Sequence, residues 1–174
     1  MNRLRLVVLC ASLLATIAVA RADTVYQEPE QFLVEALGRV PKPDVLWLTA
    51  DVQSAIAEAL GHRYPQARLR YWRSDDTQAW ILEEIGKEYP ITAGFVVKAG
   101  KITRARVLIY RESRGQEVYQ NGFVRQFEGA ALNGQRELDR HIDGITGATM
   151  SVDAMQRMAR TALLLSARVA APAQ

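Results

Sequence analysis

The sequence predicts an α+β fold in which helices cover an antiparallel sheet. Four segments rich in β-branched and aromatic residues follow one another with short connections: 68–73, 79–85, 91–98 and 101–110. Consecutive strands joined by short turns indicate an antiparallel sheet rather than a doubly wound parallel one. Helices with one apolar face lie before and after these segments in the chain, so we expect them to cover the sheet.

The last of these strands predicts which face is buried. The tight turn Ala99-Gly100 joins it to the strand before it. Its residues alternate, with Thr103, Ala105, Val107 and Ile109 on one face and Arg104, Arg106 and Tyr110 on the other. This alternation is typical of a sheet with one face buried by helices and the other exposed to solvent.

Two helices are predicted before the strands. The first covers residues 29–37 and ends before Gly38. After a short apolar segment at 45–48, Asp51 is expected to cap a second helix that Gly61 ends. The apolar face of this helix needs a surface to cover, and the strands that follow provide one.

The beginning of the chain has the pattern of a secretory signal peptide. Arg3 and Arg5 precede an apolar run at 6–20, and we expect cleavage after Ala22. The run is shorter than the ~20 residues that a membrane-spanning helix needs, so an uncleaved membrane anchor is the less favoured alternative. The sequence therefore predicts a periplasmic protein with a single domain at 23–174.

Charge and cysteine content exclude several function classes for residues 23–174. Of the 22 basic residues, three lie in residues 1–22 with none of the 19 acidic ones, so the remainder is balanced and does not favour a nucleic-acid partner. The one cysteine, Cys10, is lost with the signal peptide, which excludes disulfides, iron–sulfur clusters and C-x-x-C-H haem attachment. Neither His62 nor His141 has a second His or Cys at ligand spacing, so no metal site is predicted.

The segment Asp143–Ser151, DGITGATMS, lies directly before a final helix predicted from about Met150 to Ala167. The first N–H groups of a helix lack partners within the helix, and together with the helix dipole they favour an anion. Gly147 allows either a positive φ or a close approach of the backbone to a bulky group, and Ala148 is too small to block that approach. The segment thus suits an anionic ligand.

Five positions of this segment resemble the flavinylation motif D-x-x-[S/T]-G-A-T, which marks the FMN-binding domain family of the RnfG and NqrC flavoprotein subunits. The matching residues are Asp143, Thr146, Gly147, Ala148 and Thr149. At average composition the pattern arises by chance in about one chain of this length in 3,000. The resemblance implies covalent FMN, which a separate Mg²⁺-dependent flavin transferase takes from FAD and joins through its phosphate to Thr149. The alternative is that Thr146, Thr149 or Ser151 merely caps the helix.

The resemblance also implies roles for residues around the attachment point. Asp143 is expected to accept backbone N–H bonds in its loop, or to orient the threonine and bind Mg²⁺ when the transferase acts. Family members place a Glu followed by a Gly-containing turn where the sheet meets the flavin, which here are Glu112 and Gly115. Glu112 is expected to bond to its own loop or to the ring edge, and Gly115 to let the backbone approach the isoalloxazine. The alternative is a solvated polar loop. Ser151 completes the predicted cofactor-binding set.

The three tryptophans, Trp47, Trp72 and Trp80, are expected in the core or at its edge, and any one of them is a candidate to stack on the isoalloxazine.

The resemblance implies a periplasmic electron-transfer flavoprotein with redox partners in the periplasm or the membrane. No arrangement of catalytic acid, base and nucleophile is evident in the sequence, so we predict a carrier rather than a stand-alone enzyme. Two alternatives are a small flavin-dependent reductase and a non-redox binding or assembly module with a degenerate motif. The intact Asp143 and Thr149 argue against degeneration.

Overall fold

The structure is a computed structural model that describes residues 23–170. The predicted signal peptide at 1–22 and the last four residues lie outside the described residues. The predicted α+β fold is confirmed, because the described chain forms one six-stranded antiparallel sheet with helices packed against it.

The strand order across the sheet is β1-β6-β5-β4-β3-β2, and every neighbouring pair is antiparallel. The strands are β1 (Thr24–Val25), β2 (Asp44–Trp47), β3 (Arg68–Ser74), β4 (Thr77–Ile85), β5 (Pro90–Lys98) and β6 (Lys101–Tyr110). The sequence predicted the four strands β3 to β6 and their short connections. It missed β1, a two-residue strand that pairs with the end of β6, and it did not assign β2, which it described only as a short apolar segment.

The helices are α1 (Pro29–Leu37), α2 (Ala50–Leu60), α3 (Asn121–Val124) and α4 (Thr149–Ala170), with 3₁₀ turns at Gln116–Tyr119 and Arg125–Phe127. One predicted cap is wrong. The helix α2 begins at Ala50 after Thr49, so Asp51 lies in its first turn. The Asp51 carboxylate accepts a hydrogen bond from the Thr49 hydroxyl, and a negative charge is favourable in that turn.

The main core lies between one face of the sheet and the helices α2 and α4. The stripe predicted for α4 is confirmed, since its members are all buried: Val152, Met155, Ala159, Ala162 and Leu163. Trp80 is fully buried opposite them. Its ring stacks on Tyr71 with 4.8 Å between ring centres, and its indole N–H donates to Ser166 Oγ at 2.7 Å.

A second, smaller core lies on the other face of the sheet, so the expectation of only one helix-covered face is wrong. Helix α1 packs Phe32 and Leu33 against Ala79, Val96 and Leu108. The Phe32 ring lies directly over Gly94, where a Cβ atom would come within 2.6 Å of it. The absence of a side chain at Gly94 is what lets α1 approach the sheet.

Two bulges in β6 rearrange the predicted faces of that strand. The pairing with β5 shifts between Val96 and Val97 and again between Thr92 and Ala93. Each shift inserts an extra residue in β6 and reverses the inward–outward alternation. Tyr110 is consequently buried in the main core with Ala105 and Val107, whereas Ile109 packs on the α1 side and Thr103 is exposed.

The tryptophans divide between core and surface. Trp80 is in the main core and the half-buried Trp72 packs against the α1 cluster, as predicted. The prediction for Trp47 is wrong: it is 61% exposed, and the Arg68 guanidinium lies 5.6 Å from its ring centre. Among residues 23–170, no helix combines the length and apolar character that crossing a membrane requires.

Candidate functional site

A cavity of about 570 Å³ opens beside the first turn of α4. Its walls come from three separate segments, which are the turn after β4, the loop after β6 and the segment that leads into α4. The lining residues are Lys87, Glu112, Ser113, Arg114, Gly147, Ala148, Thr149, Met150 and Ser151. The fold therefore brings Glu112 together with five residues of the DGITGATMS segment, from which it is distant in sequence.

The segment before α4 forms a tight turn whose geometry depends on Gly147. The Ile145 carbonyl accepts a hydrogen bond from the Ala148 N–H at 2.9 Å, and Gly147 has φ +82°. A positive φ at the third residue is typical of a type II turn and favours glycine there. Of the two expectations for Gly147, the positive φ is thus confirmed. The buried Ile142 and the partly buried Ile145 anchor this turn to the main core.

Three hydroxyl groups near the start of α4 have different surroundings. The Thr149 side chain stands at the first residue of the helix and is exposed. Ser151, two residues later, is buried, and its Oγ lies 2.8 Å from Tyr110 Oη. Thr146 is exposed in the preceding turn but does not line the cavity. Of these three, Thr149 is the one hydroxyl that is both exposed and in the cavity wall.

Tyr110 holds the start of α4 to the loop after β6. Its hydroxyl donates to the Arg114 carbonyl at 2.5 Å, so the proton between Tyr110 and Ser151 comes from Ser151. Burial raises the pKa of Tyr110, which keeps the phenol protonated as a donor. The sequence prediction missed Tyr110, because it placed this residue on the polar face of β6.

Gly115 lets the loop after β6 approach the helix closely. It has φ +80°, and a Cβ atom on it would lie 3.0 Å from Ser151 Oγ and from Tyr110 Oη, and 3.1 Å from Ala148 Cβ. The close contact of this glycine in the structure is with the first turn of α4 and with Tyr110, and its predicted approach to the isoalloxazine stays a prediction. Ala148 is buried at this contact, which explains why a small residue is needed there.

Glu112 connects the loop after β6 to the turn between β4 and β5. Its Oε1 accepts the backbone N–H groups of Lys87 at 2.5 Å, Glu88 at 2.6 Å and Tyr89 at 3.0 Å. A Cβ atom on Gly86 would come within 3.0 Å of the same oxygen. These bonds join Glu112 to a different turn from its own loop, and the predicted bond to a ring edge stays a prediction.

Asp143 lies outside the cavity wall. Its carboxylate is 83% exposed and stands 3.6 Å from Nε2 of the equally exposed His141. Within residues 23–170 no backbone N–H donates to that carboxylate, so the expected loop-holding role of the side chain is wrong. The Asp143 backbone N–H holds the loop instead, by donating to Gln126 Oε1 at 2.7 Å. The suggested role with Mg²⁺ or threonine orientation stays a prediction.

Two cations in the cavity wall, Lys87 and Arg114, were missed by the sequence analysis. Neither lies in a recognisable motif, and only the fold brings the two loops to the same cavity. They stand near the positive end of the α4 dipole, and the Glu112 carboxylate is turned toward three backbone donors. The cavity is therefore suited to an anionic ligand.

The comparison with protein families identifies this region. The family model described as the FMN-binding domain matches residues 86–164, which run from the turn after β4 through most of α4. Residues 86–164 of this chain therefore match an FMN-binding domain. The chain is a flavin-binding protein with FMN as its cofactor, and every residue that lines the cavity lies within the matched range. Searches of curated proteins and of solved structures gave no significant match.

The residues of the cavity fit FMN. A phosphate is an anion, and the wall offers a helix N-terminus, an exposed hydroxyl at Thr149 and two cations. Met150, which is 48% exposed, adds an apolar contact for a flat ring. None of the three tryptophans lines the cavity, so none is placed to stack on a ring there. Among the described residues, no group of three or more His, Cys, Asp or Glu side chains is arranged to hold a metal ion.

Proposed function

We propose that this chain is a periplasmic electron-transfer flavoprotein that carries FMN through a phosphoester between the flavin phosphate and Thr149 Oγ1. The observation that carries the proposal is the position of Thr149. It is exposed, it lines the cavity and it is the first residue of α4, whose N-terminal N–H groups favour an anion.

The surroundings of Ser151 support the choice of Thr149. The Ser151 hydroxyl is buried and bonded to Tyr110, so a transferase cannot reach it without opening the contact with the loop after β6. A helix cap also fails to account for the cavity around Thr149, because a cap needs only the local backbone.

Attachment requires a second protein and a flavin donor. In the proposed reaction the Thr149 hydroxyl attacks the flavin-side phosphorus of FAD, an O–P bond forms, the pyrophosphate bond breaks and AMP leaves with its phosphate. The transferase supplies Mg²⁺ for the leaving group and accepts the hydroxyl proton. Arg114 adds a cation on the protein side of the site.

The proposed role after loading is electron transfer. Bound FMN supplies one- or two-electron redox chemistry, and the protein contributes attachment, orientation and electrostatics. The wall of the cavity contains one carboxylate and two cations but no paired acid and base, which favours a carrier over a stand-alone reductase. Its partners would be periplasmic or membrane-bound redox proteins. The periplasmic location rests on the signal-peptide pattern of residues 1–22.

The experiment is co-expression with a flavin transferase followed by mass spectrometry of the denatured protein. We expect an adduct of FMN minus water on the peptide that contains Thr149. Thr149→Val removes the adduct and leaves the fold intact, whereas Thr146→Val and Ser151→Ala retain it. A Thr149→Val protein that still carries flavin after denaturation would rule out the proposed attachment.

Kinetics of the loaded protein separate a carrier from a reductase. A carrier exchanges electrons rapidly with a redox protein or a quinone analogue. Its spectrum returns slowly to the oxidised form with a panel of small organic acceptors under anaerobic conditions. Fast, saturable turnover of one small organic acceptor would instead establish the reductase.

A further inference from the structure

We infer that Tyr110 is a positioning residue for the attachment of flavin at Thr149. Through Ser151, its hydroxyl fastens the first turn of α4 to the end of the sheet, so that a fixed turn presents the Thr149 hydroxyl. This inference rests on the proposed attachment of FMN at Thr149. Tyr110 does not line the cavity, so it acts through its neighbours rather than on the flavin.

Tyr110 is itself firmly held in the fold. It is the last residue of β6, it pairs with Thr24 of β1, and it is 2% exposed in the main core. Core side chains are closely packed and have little room to move. The Tyr110 hydroxyl therefore has a defined position between the loop after β6 and the first turn of α4.

The two hydrogen bonds of this hydroxyl join the helix to the sheet. It donates its proton to the Arg114 carbonyl at 2.5 Å, and it accepts the proton of Ser151, whose Oγ lies 2.8 Å away. A serine in a helix can instead bond to the backbone of its own turn. Such a bond would leave the helix end unconnected, whereas the bond to Tyr110 ties it to β6.

Ser151 lies where α4 is least supported by its own hydrogen bonds. The helix begins at Thr149, and the N–H of Val152 donates to the Ala148 carbonyl at 3.0 Å. The N–H groups of residues 149–151 precede that bond and lack a partner within the helix, which is why helix ends fray. An anchor at Ser151 thus restrains the same turn that carries Thr149.

The loop after β6 closes over the bonded pair. A Cβ atom on Gly115 would lie 3.0 Å from both Ser151 Oγ and Tyr110 Oη, so the loop backbone packs directly against them. Ser151 is 4% exposed, which shields the bond from competition by water. Loss of the Tyr110 hydroxyl would therefore leave a buried serine without this partner, and the first turn would loosen as a result.

The position of the Thr149 hydroxyl governs the rate of the proposed transfer. The bond between Thr149 Oγ1 and phosphorus forms as the bond from phosphorus to the AMP oxygen breaks, and the transferase accepts the hydroxyl proton. Displacement of a reacting group by 1 Å lowers a rate by about 100-fold. A frayed first turn places Thr149 in many positions, so the productive one is populated less often.

Three substitutions separate positioning from general stability. Tyr110→Phe keeps the ring in the core and removes only the hydroxyl. Ser151→Ala removes the other half of the same hydrogen bond. Ser166→Ala is the matched control, because it removes a buried hydrogen bond of the same helix at the end remote from the cavity.

The experiment measures FMN attachment to flavin-free full-length protein by a purified flavin transferase with FAD and Mg²⁺, at a temperature where all variants are folded. We expect Tyr110→Phe to lower kcat about tenfold and to change KM less than about twofold, because it moves the nucleophile and not the docking surface. Ser151→Ala gives the same loss, and the double variant is no slower than either single one, because both remove one interaction. Ser166→Ala keeps the wild-type rate.

A second measurement needs no flavin. The amides of residues 152–155 are the first to bond within α4, so their hydrogen exchange in the flavin-free protein reports opening of its first turn. We expect these amides to exchange about tenfold faster in Tyr110→Phe than in the wild type. In Ser166→Ala they exchange at the wild-type rate.

Four results overturn the inference, and they differ in what else they affect. Wild-type attachment by Tyr110→Phe overturns it and leaves the proposed function standing. Equal slowing by Tyr110→Phe and Ser166→Ala also overturns it, because the effect is then one of general stability. A double variant slowed by the product of the two single effects overturns the path through Ser151. If the wild type attaches no flavin at Thr149, the proposed attachment is wrong and the inference falls with it.

Discussion

The two ends of helix α4 treat their polar groups in opposite ways. Near the C-terminal end, Ser166 is buried and accepts the indole N–H of the fully buried Trp80 at 2.7 Å. At the N-terminal end, Thr149 is exposed beside a cavity with two cations in its wall. Both residues carry a hydroxyl on the same helix, so the residue type does not distinguish them.

The difference shows how to recognise a functional hydroxyl within one element. A structural hydroxyl is buried and satisfied by another protein group, because an unpaired buried group is costly. A hydroxyl that binds a ligand keeps its access to solvent until the ligand arrives. Ser151 shows that lining the cavity is not sufficient. It lines the same cavity as Thr149, but like Ser166 it is buried and hydrogen-bonded to another protein group, here Tyr110.

The largest loss of stability is expected from a substitution of Gly115, which packs against the N-terminal end of α4. Gly115→Ala forces an L-residue into φ +80° and brings a Cβ atom within 3.0 Å of Ser151 Oγ. We expect the free energy of unfolding to fall by about 2–4 kcal/mol, from backbone strain and overpacking together. Flavin loading should fall as well, because the first turn of α4 is displaced.

Gly144→Ala is the matched control for that variant. Nothing lies within 4 Å of a Cβ atom there, so urea denaturation should show a change of no more than about 0.5 kcal/mol. If Gly115→Ala were as stable as Gly144→Ala, the contact between the loop and the helix would not hold the site together.

The next largest loss of stability is expected from a substitution of Ser166, near the C-terminal end of α4. Ser166→Ala leaves the buried Trp80 N–H without its partner, which should cost about 1–3 kcal/mol in denaturant titrations. Flavin loading should be unchanged, because Ser166 is remote from the cavity. A Ser166→Ala protein that lost its flavin would show that the two ends of α4 are coupled.

Ser151→Ala is the corresponding change at the N-terminal end of α4, and it should lower the free energy of unfolding by less than Ser166→Ala does. Tyr110 keeps its acceptor, the Arg114 carbonyl, so its hydroxyl stays satisfied. A loss of about 1 kcal/mol is expected, measured by the same titration. A larger loss of unfolding free energy than for Ser166→Ala would contradict this expectation.

A pair of substitutions at Glu112 tests whether its carboxylate stabilises the turn between β4 and β5. Glu112→Ala removes the acceptor for three backbone N–H groups and should lower the free energy of unfolding by about 1–2 kcal/mol. Glu112→Gln keeps a carbonyl oxygen in place and should recover about half of that loss. Equal stability of both variants and the wild type would show that the turn needs no clamp.

The smallest expected effect is a pH dependence of stability that comes from His62. The pKa of His62 is raised, first by the hydrogen bond of its Nδ1 with the Arg63 carbonyl and then by its contact with Glu84. Glu84 is buried and also pairs with Arg157 at 3.0 Å. Because the folded pKa lies above the unfolded one, this stabilisation is fully present below about pH 6.5 and is lost as the pH rises through the folded value.

The test of this pH dependence is denaturant titration of wild type and His62→Gln at pH 5.5 and pH 8. The advantage of the wild type should be larger at pH 5.5 than at pH 8. An advantage that grows with pH would mean that the sign is reversed.

Much of the fold was predictable because local patterns and the tertiary structure agree. Helix α1 ends at Gly38 and helix α2 at Gly61 as expected, and both glycines have positive φ. The burial of β6 was not predictable, since its two bulges reverse the alternation of side chains, and a period of two in the sequence does not reveal a bulge. Tyr110 was misplaced for this reason.

The candidate site was predictable on one side only. The segment up to Thr149 carries a recognisable motif, and Gly147 has the conformation that it suggested. The part of the cavity wall formed by Lys87 was not predictable, because Lys87 reaches it through the pairing of β4 with β5 and through the hydrogen bond that its N–H donates to Glu112. A long-range contact of this kind depends on the sheet register rather than on local spacing.

The position of the main core has a consequence for how the protein matures. Val152 and Met155, one turn beyond Thr149, pack in a core formed entirely by protein side chains. Thr149 itself is exposed beside this core, so a flavin attached there as we propose adds to the surface rather than to the core. On the proposed function, the flavin can therefore be attached after the chain has folded.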